Sequence, residues 1–461
     1  MSSKQGRATA RPARGGRKPA APPLEYSLLL TATLCLLAFG AVMVFSASSA
    51  RSLLNTGGNG FYYLERTVVF GAIGLVVMRV ASVRGAAAVK PLTPLILLSS
   101  LFLLFAVLLP GVGTTVNGAQ RWVGGGVLQF QPSELAKIAL VLYGAYLLSA
   151  EPKRARTLGG LGPYLLLVGL SIVLIAKEPD LGTAIVVSVA VCCMLFLAGV
   201  RARTLAPVGA IIAVLALAMI AMHPYQEARL TGFLHPGSDT SGAGFQAKQA
   251  TIAVGSGGLT GVGLGESVQK ASYLPEAHTD MIAAVIGEEL GLVGMFVLVG
   301  LFGMFGYAGL RAAHRARDRF SKLLAAGLTS LIMAQAALNL FAVLGLAPLT
   351  GVPLPFVSYG GTSLILTLAA AGLILDVARR PAAAQGARNR GSGRGARSTA
   401  TGPARLRVVE GGTNNSRVRR AKRGATRRSG KRAASGTSRD SGRRDGGARR
   451  TGDRRRRRAS R

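Results

Sequence analysis

Ten apolar runs limit what this chain can fold into, at about 26–47, 62–82, 92–110, 134–150, 162–177, 181–200, 204–222, 279–307, 323–347 and 356–377. Most are close to the roughly 20 residues that carry a helix across a bilayer. A backbone in hydrocarbon must satisfy its own N–H and C=O groups, which leaves helices or closed barrels. Barrel strands need only about 9–11 residues, so runs of this length predict an all-α polytopic membrane protein with ten transmembrane helices. The second run carries Glu65, Arg66 and Arg79 and the fifth is short, so these two depart most from the pattern. A hydrophobic share of 49% and 61 glycines in 461 residues agree with that class and not with an ordinary soluble domain.

The net charge of +36 belongs mostly to the ends of the chain. Residues 379–461 hold 28 Lys and Arg against 4 acids, and the first 25 residues hold 6 against 1. Composition therefore divides the chain into a basic tail at 1–24, a membrane domain at 25–378 and an Arg-rich tail at 379–461, with both tails expected to be disordered. Lys and Arg in the short connections give the orientation. With the N-terminus in the cytoplasm, the inner connections carry Arg84 and Lys90; Lys153, Arg154 and Arg156; Arg201 and Arg203; and Arg311, Arg315, Arg317, Arg319 and Lys322. The outer ones carry only Arg51, Arg121 and Lys177 among the short loops. Both termini are thus expected inside, with a large extracytoplasmic loop at about 223–279 between helices 7 and 8. No small-residue cleavage site follows a short apolar core, so the first run is expected to be a retained span. Cys35, Cys192 and Cys193 all lie in apolar runs, and no disulfide framework is implied.

Chemistry-bearing residues gather on the expected outer side. The stretch YLPEAHTDMIAAVIGEELG (273–291) opens an apolar run with Glu276, His278 and Asp280 and carries Glu288 and Glu289 deeper in. Ionisable groups at membrane depth are costly and tend to mark a working site. The alternative is that Pro275 and Asp280 only start a helix. Arg121 beside Trp122 suits the lipid–water interface as well as a site. Glu134 and Lys137 share a helix face three residues apart, either as a self-neutralising pair or as a cation open to an anion. Asp180 in KEPDLGT (177–183) reads first as a helix cap. Six glycines between 255 and 265 suit a tightly turned re-entrant loop better than a phosphate cradle. Arg229, Lys248 and Lys270 are the cations this long loop offers to a diphosphate. Gln335 and Asn339, four apart in the ninth run, suit hydrogen bonds between helices. No P-loop, dinucleotide fingerprint, zinc spacing or nucleophile elbow is present, so cytoplasmic nucleotide chemistry has no seat.

The motifs PSELAK (132–137), EPDLGT (178–183), GSGGLTGVGLG (255–265), LPEAHTD (274–280), IGEELG (286–291) and TGVPLPFVSYGGTS (350–363) resemble, in order, those of the SEDS family (shape, elongation, division and sporulation). The resemblance spans about 26–380 and is nearer the division branch than the rod-elongation branch. Glu178 stands where many relatives have Gln, Met281 where Phe is common, and Thr362 where Ser is frequent. The resemblance implies a ten-helix peptidoglycan glycosyltransferase that polymerises lipid II at the outer face of the bacterial cytoplasmic membrane, at the division septum. It implies a class B penicillin-binding transpeptidase and other divisome proteins as partners. Asp280 falls on the family's catalytic Asp and Lys137 and Glu134 on its SExxK pair. On that reading Asp280 takes the proton of an acceptor sugar hydroxyl. Lys137, Arg121, Arg229 and Lys248 would offset the departing diphosphate, and Glu276 and His278 would line the site. The resemblance allows a divalent cation, Mg or Mn, although no ligand set is legible. A lipid II transporter, the elongation role and a non-enzymatic scaffold are the rival functions. The Arg-rich tail is expected to meet anionic lipid or an acidic cytoplasmic protein, and nucleic acid is not expected.

Overall fold

The computed structural model describes residues 22–55, 60–116, 119–125, 129–153, 157–222, 224–235, 242–272, 274 and 277–380. The expectations for both tails and for Glu276 fall outside the described residues. Helices dominate: α1 (Leu24–Asn55), α2 (Tyr62–Val89), α3 (Thr93–Val107), α4 (Pro132–Ala150), α5 (Leu158–Lys177), α6 (Leu181–Leu197) and α7 (Ala202–Met222) come first. After them come α8 (Pro224–Leu234), α9 (Ala243–Ser256), α10 (Gln269–Ser272), α11 (Ile282–His314), α12 (Arg319–Val343) and α13 (Gly361–Arg379). A hairpin of β1 (Gly113–Val116) and β2 (Ala119–Val123) lies between α3 and α4, paired antiparallel with Thr114 opposite Trp122.

Among the described residues, eight helical stretches are long and apolar enough to cross a membrane, and α6 is a shorter apolar helix. One of the eight, Tyr62–Val107, runs through α2, a 3-10 turn and α3. The expected run at 279–307 becomes helical only at Ile282, and the one at 356–377 only at Gly361. Pro353 and Pro355 favour extended backbone before them, and a turn at Leu354–Ser358 then redirects the chain. Helices α11, α12 and α13 make the buried interior, with α1 along α11, α2 along α13, and α4 and α6 against α12. In α7 only Met219 is buried.

One end of the bundle is tied by charge. Glu25 at the start of α1 pairs with Arg311 (3.1 Å) and Arg315 near the end of α11. Arg319 donates to the carbonyls of Leu148 and Ala198, where α4 and α6 finish. Asp376 near the end of α13 accepts the Ala86 N–H (3.0 Å) beside a break in α2 at Gly85.

The other decisive break is in α11. Gly291 leaves the helical region (φ 62°, ψ −157°). An unbroken helix would pair Leu292 N–H with Glu288 C=O and Val293 N–H with Glu289 C=O. Here the glycine-rich loop takes their place. Val262 and Gly263 donate to the carbonyls of Glu288 and Glu289, each at 3.0 Å. Leu292 and Val293 donate to the carbonyls of Gly258 (3.0 Å) and Leu259 (3.2 Å). The expected re-entrant loop is thus a single turn set into a broken helix. It fits only with glycine at 261, because a Cβ there would lie 2.1 Å from the Glu289 carbonyl oxygen.

Gly261→Ala is expected to destabilise the fold by about 2–4 kcal/mol, combining a clash with left-handed backbone (φ +84°). Gly265→Ala, also left-handed (φ +89°) but facing open space, should cost only about 1–2 kcal/mol. Melting of the two variants in detergent reads the difference, and equal losses would show that the loop is not seated in the break.

Candidate active site

The turn at 277–280 delivers Asp280 just ahead of α11, half-buried, with Thr279 Oγ1 donating to its Oδ1 at 3.3 Å. The turn is held from beneath. Asn339 on α12 donates its side-chain amide to the Asp280 carbonyl (2.7 Å) and to the Val352 carbonyl (2.8 Å). The His278 carbonyl accepts from Tyr359 N–H at 3.0 Å, and its buried ring packs 4.3 Å from that of Tyr63 and 5.6 Å from that of Tyr359. His278 therefore supports the turn through its backbone and through aromatic packing.

One turn earlier on α12, about 6 Å along the axis, Gln335 repeats the device. It accepts from Lys137 Nζ (2.8 Å) and donates to the Pro353 carbonyl (2.9 Å). Lys137 also pairs with Glu134 at 2.7 Å, and Ser363 donates to the other Glu134 oxygen at 3.0 Å. Lys137 and Glu134 are both buried, so removing either partner would strand a charge at a cost of about 3–5 kcal/mol. The two side-chain amides form a rail joining the SExxK pair, the 350–356 segment and the Asp280 turn. The sequence suggested bonds between helices for Gln335 and Asn339. Their shared service to both ends of the site is what the four-residue spacing in a span encodes.

The remaining cations are placed differently. Arg121 on β2 donates from Nε to the Glu178 carbonyl (2.8 Å) and from Nη2 to the Pro179 carbonyl. Gln226 on α8 donates to the same Pro179 carbonyl at 2.6 Å. Asp180 caps α6 through Thr183 N–H (3.0 Å), as its sequence context predicts, and accepts from Gln131 at 3.2 Å. Arg229 donates to the Leu349 carbonyl at 3.1 Å. Lys248 is exposed on α9, and Lys270 is paired with Glu289. Glu178 is fully buried, and its carboxyl oxygens have no hydrogen-bond partner among the described residues. Burial first, and Asp180 second, push its carboxyl up to about 9 against the opposing pull of Arg121. Among the described residues no three His, Cys, Asp or Glu side chains converge as a metal-ligand set. These described residues do not fit a cation caged by the protein.

Residues 26–382 match the FtsW/RodA/SpoVE cell cycle protein family. The chain belongs to that family. Relatives across this FtsW/RodA/SpoVE family include a probable peptidoglycan glycosyltransferase FtsW of Geobacter sulfurreducens, strain PCA. It is 40% identical over 358 residues, covering 77% of this chain and 96% of the relative. Stage V sporulation protein E of Bacillus subtilis is 38% identical, covering 76% and 96%. Among solved structures, a chain of a peptidoglycan synthase complex, described as coordinating polymerization and crosslinking, superposes with a TM-score of 0.64 at 30% identity. It is matched over 76% of this chain and 96% of its own. The rod shape determining protein RodA of Thermus thermophilus superposes at 0.56 and 29% identity, over 76% and 95%.

The Glu178 carboxyl makes stability pH-dependent in a definite direction. Its penalty is absent below about 4.5, grows as pH rises toward about 9, and is complete above that, because only the unfolded chain ionises freely in between. Glu178→Gln copies the neutral form. It should melt with wild type near pH 4.5 and progressively above it toward pH 9, and parallel melting curves across that range would refute a neutral Glu178.

Proposed function

We propose that the protein is a peptidoglycan glycosyltransferase that polymerises lipid II at the outer face of the bacterial cytoplasmic membrane, in septal wall synthesis. The observation that carries this reading is the half-buried Asp280, held by Asn339 on the same rail that holds the Lys137–Glu134 pair. The FtsW names of its 40%-identical relatives supply the substrate class. Asp280 accepts the proton of the acceptor GlcNAc 4-hydroxyl, whose oxygen attacks the anomeric carbon of the donor with inversion. The bond to the polyprenyl diphosphate breaks and the diphosphate departs with its electron pair. Lys137 contributes locally because Glu134 offsets much of its field. Arg121 meets the Glu178 and Pro179 carbonyls and Arg229 the Leu349 carbonyl, partners that do not neutralise a guanidinium, so both bring positive charge to the site. Lys248 is the exposed cation of the set.

The proposed topology has ten spans, both termini in the cytoplasm and the 223–279 connection outside. Two observations support it: the Lys/Arg bias of the connections, and the grouping at one end of Glu25, Arg311, Arg315, Arg319, Asp376 and the ends of α2, α4 and α6. A class B penicillin-binding transpeptidase is the proposed partner, by analogy with a neighbour described as coordinating polymerization and crosslinking. The Arg-rich stretch 379–461 is proposed to meet anionic lipid, at about 1 kcal/mol per basic residue near the surface.

Purified protein with its transpeptidase and lipid II should make glycan strands. Asp280→Ala and Asp280→Asn should lower that rate at least about 100-fold at unchanged melting temperature. Full activity in Asp280→Ala would remove the base from the mechanism. No polymer from wild type, together with movement of labelled lipid II across vesicles, would replace a polymerase with a transporter.

A further inference from the structure

Two adjacent carboxylates of α11 take no part in the mechanism above, yet both are buried. Glu289 pairs with Lys270 Nζ at 2.6 Å and accepts from Ser46 Oγ of α1 at 2.7 and 2.6 Å. Lys270 Nζ also reaches Ser46 Oγ, at 3.2 Å, so the three side chains close a triangle between α1, α10 and α11. Glu288 points to the neighbouring stretch of the same loop. It accepts from Ser267 Oγ, from Val268 N–H at 3.0 Å and from Gln269 N–H at 3.4 Å. Ser267 Oγ in turn accepts the Lys270 N–H at 3.2 Å. A four-residue segment is therefore gripped from one point on α11, eight and nine residues beyond Asp280.

This grip closes the chain on itself. From Ser267 the backbone passes through α10, Leu274 and the turn bearing Asp280, then returns along α11 to Glu288. The backbone pairing at Gly291 ends at Gly263, four residues short of Ser267. Between that pairing and Ser267 the chain makes one turn, with Glu266 N–H donating to the Gly263 carbonyl at 3.2 Å and Gly265 at φ +89°, so the bonds at Ser267–Lys270 form a second, separate anchor. We infer that the Glu289–Lys270 pair, with Ser46 and the Glu288–Ser267 contact, is a positioning device that sets where Asp280 stands. The inference rests on Asp280 being the base.

The chemistry of the pair favours this reading over simple stability. An isolated Lys–Glu pair can often be replaced by apolar residues without loss of stability, since its desolvation cost offsets most of its attraction. Hydrogen-bonded charges do impose one geometry, whereas two apolar side chains at the same place would let α10 slide. A displacement of about 1 Å at a reacting group can cost on the order of 100-fold in rate.

The test uses the full chain with its transpeptidase, lipid II as substrate, and the double variant K270M/E289L, which strands no buried charge. Melting temperature, KM and kcat are measured beside wild type and D280A. The expected result is a double variant that melts with wild type and keeps KM within about twofold while kcat falls at least about tenfold. E289D alone, which keeps the charge on a shorter arm, should recover part of kcat. A kcat equal to wild type in the folded double variant overturns the inference. So does a kcat that falls only in step with melting temperature, since that is ordinary structural support. An active D280A removes the premise instead, whereas an inactive D280A beside a fully active K270M/E289L leaves the base in place and sinks the positioning device alone.

Discussion

A helix that breaks inside a membrane exposes backbone groups that hydrocarbon cannot satisfy, and α11 breaks at Gly291. Two carbonyls and two N–H groups would be stranded there, each at a cost of about 1–3 kcal/mol or more. The loop at 258–263 meets all four. The same break turns Glu288 and Glu289 toward the incoming loop, where Ser267 and Lys270 receive them. The Asp280 end of the molecule depends on this repair. It seats the long connection against the bundle and returns the chain to the Asp280 turn.

The polar side chains around Lys137 and Asn339 follow the same rule of mutual satisfaction. Lys137 has Glu134 and Gln335, and Glu134 has Ser363. Asn339 serves two carbonyls from one amide, Asp280 and Val352. A network of this kind is rigid because each member loses a partner if any other moves. Among the described residues, Glu178 departs from the rule, as do the buried hydroxyls of Ser48, Ser133 and Thr329. Burial pushes the Glu178 carboxyl up to about 9, so it is held neutral, as the Gln expected there by resemblance would be.

Apolar run lengths and the Asp280 motif were legible in the sequence because both are local. Period, length and the residue types ahead of a helix are written within a few positions of one another. The N-cap role of Asp180 was legible for the same reason. What the cations do was not. Arg121, Arg229 and Lys270 all look available in the sequence, and each is engaged by a carbonyl or carboxylate supplied by another element, 57 and 120 residues away for the two arginines. Helix ends were legible only to within several residues. The delays to Ile282 and Gly361 come from turns whose hydrogen bonds depend on Asn339 and on the prolines of 353–355.

The insert at Gly291 also governs how this chain can change length. The loop donors and acceptors are four residues apart, and so are those of α11, so the pairing fits at a single count. An added residue between Gly258 and Val262 would misalign one pair of bonds and push a side chain at the Glu289 carbonyl, where Gly261 leaves no room. An addition between Gly263 and Ser267 would disturb one turn bond, from Glu266 N–H to the Gly263 carbonyl (3.2 Å), and meets no helix carbonyl. An added residue is thus accommodated more readily in these three residues, 264–266, than in the seat, between a backbone anchor on one side and a charged one on the other.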